Sequence, residues 1–117
     1  MSILPNIMQD KLESEAEELM MYIENDSDLN RQRFRPTIKN ILRRKKSGKY
    51  DHTKAPKLWS YIVEAGAKKY NKEMPLYAGD WKMKWYEQFP VEMRECASHL
   101  FANKYFEKIF FNGYTID

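Results

Sequence analysis

The chain has 117 residues, a hydrophobic fraction of 43% and a formal net charge of +3. This length predicts one domain covering residues 1–117, and the apolar content is enough to bury a core, which excludes wholesale disorder. No stretch approaches the roughly 20 apolar residues of a membrane span, and the N-terminal residues lack the basic lead of a signal peptide. We therefore expect a soluble, cytoplasm-like protein that makes no membrane contact.

The small net charge conceals a strong asymmetry along the chain. Residues 1–30, the acidic head, carry −7, whereas residues 31–49, the basic segment, carry +9 without one acid. The remaining residues, 50–117, carry +1. Such asymmetry indicates either a surface that binds a polyanion or an internal match between neighbouring helices.

The first two helices are predicted from apolar spacing and from their end signals. A first helix starts near Pro5 and follows an apolar stripe to Ile23, and the run 25–28 stops it. A short turn over 29–34 follows, capped by Ser27 or Asp26. Pro36 should then push Arg35 out of the helical region and create a break or kink. A second helix covers about 36–46, with Gly48 as its left-handed cap.

The third helix begins after Thr53, the predicted N-cap, which places Pro56 in the first turn. Its apolar positions run from Ala55 to Tyr70 at helical spacing. Gly66 interrupts this pattern at a cost of about 1 kcal/mol relative to alanine, which indicates close approach by another element. Met74–Pro75 should end the helix.

Two further helical segments complete the fold prediction. Residues 81–89 form a short aromatic segment for which we favour helix over strand, because no strand partner is predicted. A last helix runs from Pro90 to about Phe111, and Gly113 follows its end. The predicted fold is therefore all-α, a single domain of four main helices plus the short aromatic segment.

The basic segment is the first candidate functional site. Nucleic-acid binding requires several cations that reach phosphates together, and nearby aromatic rings such as Phe34 and Tyr50 can stack on bases. The alternative is that these cations form a solvated face or pair with the acidic head. The predicted nucleic-acid-binding residues, for DNA or RNA, are Arg31, Arg33, Arg35, Lys39, Arg43, Arg44, Lys45, Lys46 and Lys49.

The aromatic residues near the C-terminus are the second candidate. Aromatic residues at helical spacing are mostly core, yet Phe106, Phe110 and Phe111 spread over too wide an arc for one buried face. An exposed part of this surface would bind a host protein or a second copy of the chain. The predicted partner-binding residues are Trp81, Trp85, Phe106, Phe110 and Phe111.

Catalytic motifs are not evident. An Asp51–His52 pair and a Glu95–His99 pair are conceivable acid–base arrangements, but nucleophile elbows and glycine-rich phosphate loops are missing from the sequence. No spacing supplies the three or four convergent ligands of a metal site. Cys96, the single cysteine, is interpreted as a small buried hydrophobe. We expect a non-catalytic protein without cofactor or metal.

From Tyr22 to Glu73 the chain resembles small uncharacterised proteins encoded by tailed bacteriophages and prophages. The similarity lies in YIENDSDLNRQ (22–32), in Pro36 and Lys39–Asn40, in KSGKYD (46–51) and in KAPKLWSYIVEAGAKKYNKE (54–73). Arg94 and Ala97 match the last helix of that family. The resemblance implies an accessory phage protein in the cytoplasm of the host, and it implies no activity or functional residue.

Two functional hypotheses follow from these observations. The first is a non-catalytic accessory protein that binds nucleic acid through the basic segment. The alternative is a protein–protein interaction module that binds a host factor or self-assembles through its acidic first helix and aromatic C-terminal helix.

Overall fold

The computed structural model describes residues 6–77 and 90–116, with side chains from residue 9 to 73 and from 90 to 116. All regular elements in these ranges are helical, as predicted. The main helices are α1 (Asn6–Asn25), α3 (Arg35–Ser47), α4 (Ala55–Tyr77) and α5 (Pro90–Phe106), and α2 (Ser27–Leu29) is a single turn. The predicted aromatic segment 81–89, with Trp81 and Trp85, lies outside the described residues.

The turn between α1 and α3 is tied to its neighbours by Asp26. The Asp26 side chain accepts a hydrogen bond from the Leu29 N–H at 2.9 Å, which confirms the predicted capping of this turn. The chain then passes through a π-helical turn, Asn30–Phe34, directly into α3. Leu29 and Phe34 are buried, so the turn is held by its apolar side chains.

The predicted break at Arg35 is wrong, because Arg35 has helical angles (φ −60°, ψ −44°). Its N–H donates to the Asn30 carbonyl five residues earlier, and Pro36 lies in the first turn of α3, where a missing N–H costs little. Burial of Phe34 and Ile38 on the same side overrides the local preference of the residue before proline. The far end follows the prediction, since Gly48 has φ 73° and donates to the Arg44 and Lys45 carbonyls.

Helix α4 differs from the prediction at both ends. A 3-10 turn, His52–Lys54, precedes it, and Asp51 rather than Thr53 caps that turn by accepting from the Thr53 N–H at 3.0 Å. At the other end the helix passes through Pro75 and continues to Tyr77, so the predicted stop at Met74–Pro75 is wrong. Pro75 removes one backbone N–H from the last turn, and the helix ends two residues after it.

The core lies where α1, α4 and α5 pack against one another. The Trp59 ring stacks on Phe101 and Tyr105, with ring centroids 5.0 Å and 5.1 Å apart. Gly66 of α4 confirms the predicted close approach, because a Cβ at this position would lie 2.5 Å from the Ile23 Cδ1 atom of α1. The π-helical turn Glu107–Phe111 extends α5, and Gly113 follows with φ 68°.

Candidate nucleic-acid interface

The basic segment is almost entirely on the surface. Two of its apolar residues, Ile38 and Ile41, anchor α3 in the core and leave the cations outside. Eight cations are exposed and Arg35 is half-buried; the exposed ones are Arg31, Arg33, Lys39, Arg43, Arg44, Lys45, Lys46 and Lys49. The fold therefore presents the residues predicted to contact nucleic acid to solvent.

These cations do not share one face of α3. Arg33 and Arg44 lie on the side that faces α4, at the spacing of one helical stripe. Lys39 and Lys46, seven residues apart, project from another side of the helix. Lys45 is exposed but has partners within the protein. Its Nζ donates a hydrogen bond to the Ile109 carbonyl at 3.0 Å and lies 5.2 Å from the Phe110 ring centroid.

Two adjoining recesses form a groove between α3 and α4. The basic recess, about 540 Å³ in volume, is lined by Arg44, Lys49, Asp51, Lys54, Lys57, Leu58 and Tyr61. The polar recess, about 270 Å³, is lined by Gln32, Arg33, Pro36, Thr37, Asn40, Leu58, Tyr61 and Ile62. Leu58 and Tyr61 line both, and the Tyr61 side chain is 59% exposed. We call the two recesses together the α3–α4 groove.

The groove adds three residues that the sequence analysis missed: Lys54, Lys57 and Tyr61. Lys54 and Lys57 were left out because the basic segment was defined as the acid-free run that ends at Lys49, and Asp51 follows before Lys54. A wider charge window would have found them. Tyr61 follows Lys57 by four residues in α4, so the helical spacing places the two side chains on one face. That this face meets Arg44 depends on how α3 packs against α4, which no local pattern in the sequence contains.

Among the residues that the structure describes, Asp51 is the one acidic side chain that lines the basic recess. Its carboxylate accepts hydrogen bonds from the Thr53 hydroxyl at 2.6 Å and from the Thr53 N–H at 3.0 Å, and these bonds lower the pKa of Asp51. The carboxylate is thus charged at neutral pH but engaged with Thr53. The recess keeps a positive balance, since four cations face this single acid.

The acids at the end of the acidic head have lysine partners outside the basic segment. In the described part of the chain, α1 packs along α4 and α5 rather than along α3. Lys104 of α5 pairs with Glu24 at 2.8 Å, and Lys69 of α4 pairs with Asp26 at 2.7 Å. Arg31 of the basic segment forms an ion pair with Asp28 of the acidic head at 3.1 Å. Both side chains are more than half exposed.

The C-terminal aromatic residues divide into packed and exposed members. Phe106 and Phe110 are half-buried and pack on Tyr50, with ring centroids 5.9 Å and 4.7 Å away. Phe111 contacts Phe106 edge-on at 5.4 Å, yet it is 72% exposed. Of the partner-binding residues that the structure describes, Phe111 is therefore the one available for an external contact on its own.

His52 joins this aromatic cluster instead of pairing with Asp51. Its Nδ1 lies 2.9 Å from the Tyr50 hydroxyl, and its Nε2 lies 3.1 Å from the Asn103 Oδ1. Burial and the nearby charge of Asp51 raise the pKa of Tyr50 to about 12, so its hydroxyl is protonated and able to donate to His52. The arrangement fastens the loop after α3 to α5.

Cys96 packs against the core and is half-buried, less than the fully buried position that was predicted for it. Burial, followed by the charges of Glu13 and Glu17, raises the pKa of Cys96 to about 11, which keeps the thiol protonated.

Neither metal chemistry nor known relatives supply a further clue to function. No cluster of three or more potential metal ligands occurs among the residues that the structure describes. None of the described helices is long and apolar enough to cross a membrane. No family model, curated protein or solved structure matches the chain. The α3–α4 groove and the exposed cations around it form the candidate site.

Proposed function

We propose that this protein binds nucleic acid through the basic segment and acts without catalysis, as an accessory protein of a bacteriophage in the host cytoplasm. The observation that carries the proposal is the placement of the charges. Nine cations lie on or beside one helix and eight of them are exposed. Of the acids just before them, Glu24 and Asp26 pair with Lys104 and Lys69, and Asp28 pairs with Arg31. Clustered exposed cations are the feature that phosphate backbones recognise.

Binding of this kind has a measurable electrostatic signature. Each phosphate contact releases condensed counterions, so the logarithm of the association constant falls by about 0.9 per contact on duplex DNA for each tenfold rise in salt, and by about 0.7 on a single strand. The slope therefore counts the cations in contact with the ligand.

The test is fluorescence anisotropy with labelled single-stranded and duplex DNA and RNA, titrated between about 50 and 200 mM salt. The variant Arg33→Gln/Arg44→Gln removes two cations of the basic segment on the side that faces α4 and spares Lys45, which has a structural role. The matched control Lys68→Gln/Lys72→Gln removes two cations of α4 that lie outside the groove.

We expect weaker binding and a salt slope reduced by about 1.4 to 1.8 for the first variant, and an unchanged slope for the control. Equal losses in the two variants would contradict a localised interface. Absence of binding to every oligonucleotide at the lowest salt would overturn the proposed function.

A second candidate function is protein–protein interaction through the acidic first helix and the aromatic C-terminal helix. The observation that favours it is the exposure of Phe111, at 72%, together with that of Met21 on α1, at 61%. Light scattering after size-exclusion chromatography tests the self-association form of this hypothesis. A dimer that dissociates in a Phe111→Ser variant would support it, and a monomer at all concentrations would exclude self-association.

A further inference from the structure

We infer that the α3–α4 groove binds single-stranded nucleic acid. The backbone phosphates lie in the basic recess, and the bases lie against Tyr61 and in the polar recess. This inference rests on the proposed function and narrows it to one ligand form and one side of α3. It also extends the contact surface beyond the basic segment, to Lys54, Lys57 and Tyr61 at the start of α4.

The basic recess has the chemistry of a phosphate site. Arg44 and Lys49 come from the end of α3 and the loop after it, and Lys54 and Lys57 come from the start of α4. Cations from two chain segments thus converge on one space of about 540 Å³, within the roughly 300–1,000 Å³ range of pockets that enclose small ligands. A backbone phosphate entering this space meets several cations at once.

Tyr61 lies where the base attached to such a phosphate would be placed. Tyr61 lines both recesses and is 59% exposed, so its ring is accessible to a ligand where the two recesses adjoin. Base stacking on exposed aromatic rings is the general means by which single-strand-binding proteins hold unpaired bases without sequence preference. Bases in a duplex are already stacked on one another and are not available to the ring.

The polar recess supplies hydrogen-bonding groups instead of charge. The Thr37 hydroxyl donates to the Arg33 carbonyl at 2.8 Å, so its oxygen remains able to accept from a ligand. The Asn40 Oδ1 accepts from Arg43 Nη2 at 3.3 Å and from Arg44 Nε at 3.2 Å, which leaves the Asn40 amide N–H groups as donors. Donors and acceptors of this kind match the edges of an unpaired base.

The shape of the site also disfavours a duplex. Duplex DNA is read by a helix or ribbon that protrudes into the major groove. Here the cations line a recess between two helices instead of standing on a protruding helix; they are Arg44, Lys49, Lys54 and Lys57. A flexible single strand can follow the groove.

The experiment measures anisotropy of a labelled single strand of about 12 nucleotides and of the corresponding duplex. Lys54→Gln/Lys57→Gln removes two groove cations outside the basic segment, and Lys39→Gln/Lys46→Gln removes two cations from another side of α3. Tyr61→Ala removes the stacking surface, and Tyr61→Phe retains it. Circular dichroism melting of each variant separates loss of binding from loss of folding.

We expect the wild-type protein to prefer the single strand and the groove variant to bind it at least about tenfold more weakly, with a salt slope lower by about 1.4. Tyr61→Ala should weaken binding by about 5- to 150-fold, while Tyr61→Phe stays within about twofold of wild type. Lys39→Gln/Lys46→Gln should change binding far less than the groove variant.

A preference for duplex that is lost in Lys39→Gln/Lys46→Gln and kept in the groove variant would overturn this inference and leave the proposed function intact. Equal affinity of Tyr61→Ala and wild type would overturn it as well. Full displacement of the strand by adenosine monophosphate, with no dependence on oligonucleotide length, would assign the groove to a free nucleotide instead. Failure of every oligonucleotide to bind would overturn both proposals.

Discussion

Replacement of Gly66 by alanine tests the close approach of α1 and α4 in the core. A Cβ at position 66 would lie 2.5 Å from the Ile23 Cδ1 atom, and Ile23 is fully buried, so the side chain must move within a packed core. Overpacking of this kind costs about 1–3 kcal/mol. Alanine recovers about 1 kcal/mol of helix propensity relative to glycine. We therefore expect Gly66→Ala to lower the free energy of unfolding by up to about 2 kcal/mol.

Gly66→Ala should stabilise the protein instead of destabilising it when Ile23 is shortened. Ile23→Ala by itself should cost about 2–5 kcal/mol, because it leaves a cavity beside Gly66. In that background the Cβ of Gly66→Ala enters the empty space and the helix propensity still favours alanine, so the second substitution should stabilise by about 1 kcal/mol. The expected coupling in this double-mutant cycle exceeds about 1 kcal/mol.

Urea denaturation of the four proteins, followed by circular dichroism, measures the cycle. A Gly66→Ala protein that is about 1 kcal/mol more stable than wild type would show that α1 does not restrict this position. Additive effects of the two substitutions would refute the contact between Ile23 and Gly66. Either result would contradict the packing of α1 on α4 described above.

Two further predictions concern the ends of helices. Burial by itself raises the pKa of Asp26, but hydrogen bonds from Lys69 and from the Leu29 N–H outweigh it and lower the pKa in the folded state. A lowered folded-state pKa stabilises the protein above the ordinary aspartate pKa of about 3.9, and this stability disappears as the pH falls towards the folded-state pKa. Asp26→Asn, which keeps a capping oxygen, should therefore reduce the loss of stability on acidification in urea titrations between neutral and acidic pH; identical pH profiles would contradict this role. Gly48→Ala, at φ 73°, should lower stability by about 1–2 kcal/mol in thermal melts although its Cβ meets no neighbour, and an unchanged melting temperature would contradict the left-handed cap.

Local features were predictable where one residue type satisfies a local requirement. Gly48 was predicted as a left-handed cap because few other residues tolerate a positive φ, and the structure has φ 73° there. Gly66 was predicted as a close approach because a glycine inside a helix is costly unless space demands it, and Ile23 occupies that space. In both cases the physical reason is contained in the residue and its immediate neighbours.

Local preferences failed where packing opposed them. Arg35 precedes a proline and was predicted to leave the helical region, yet burial of Phe34 and Ile38 keeps the chain helical through a π-turn. Burial of one large apolar side chain provides about 1.5–3 kcal/mol, which outweighs this local bias. Thr53 fails for a local reason, because Asp51, two residues earlier, is at least as good an N-cap and uses Thr53 as the donor.

The sequence by itself determined the all-α class, the positions of the main helices and the division of a small net charge into an acidic head and a basic segment. Hydrophobic periodicity and charge are local properties, so a linear reading recovers them. Only the tertiary structure decided which charges meet. It placed α1 on α4 and α5, matched Glu24 with Lys104, and left the basic segment facing solvent. It also brought Lys54, Lys57 and Tyr61 beside Arg44, because contacts between helices depend on packing that no single stretch of the chain encodes.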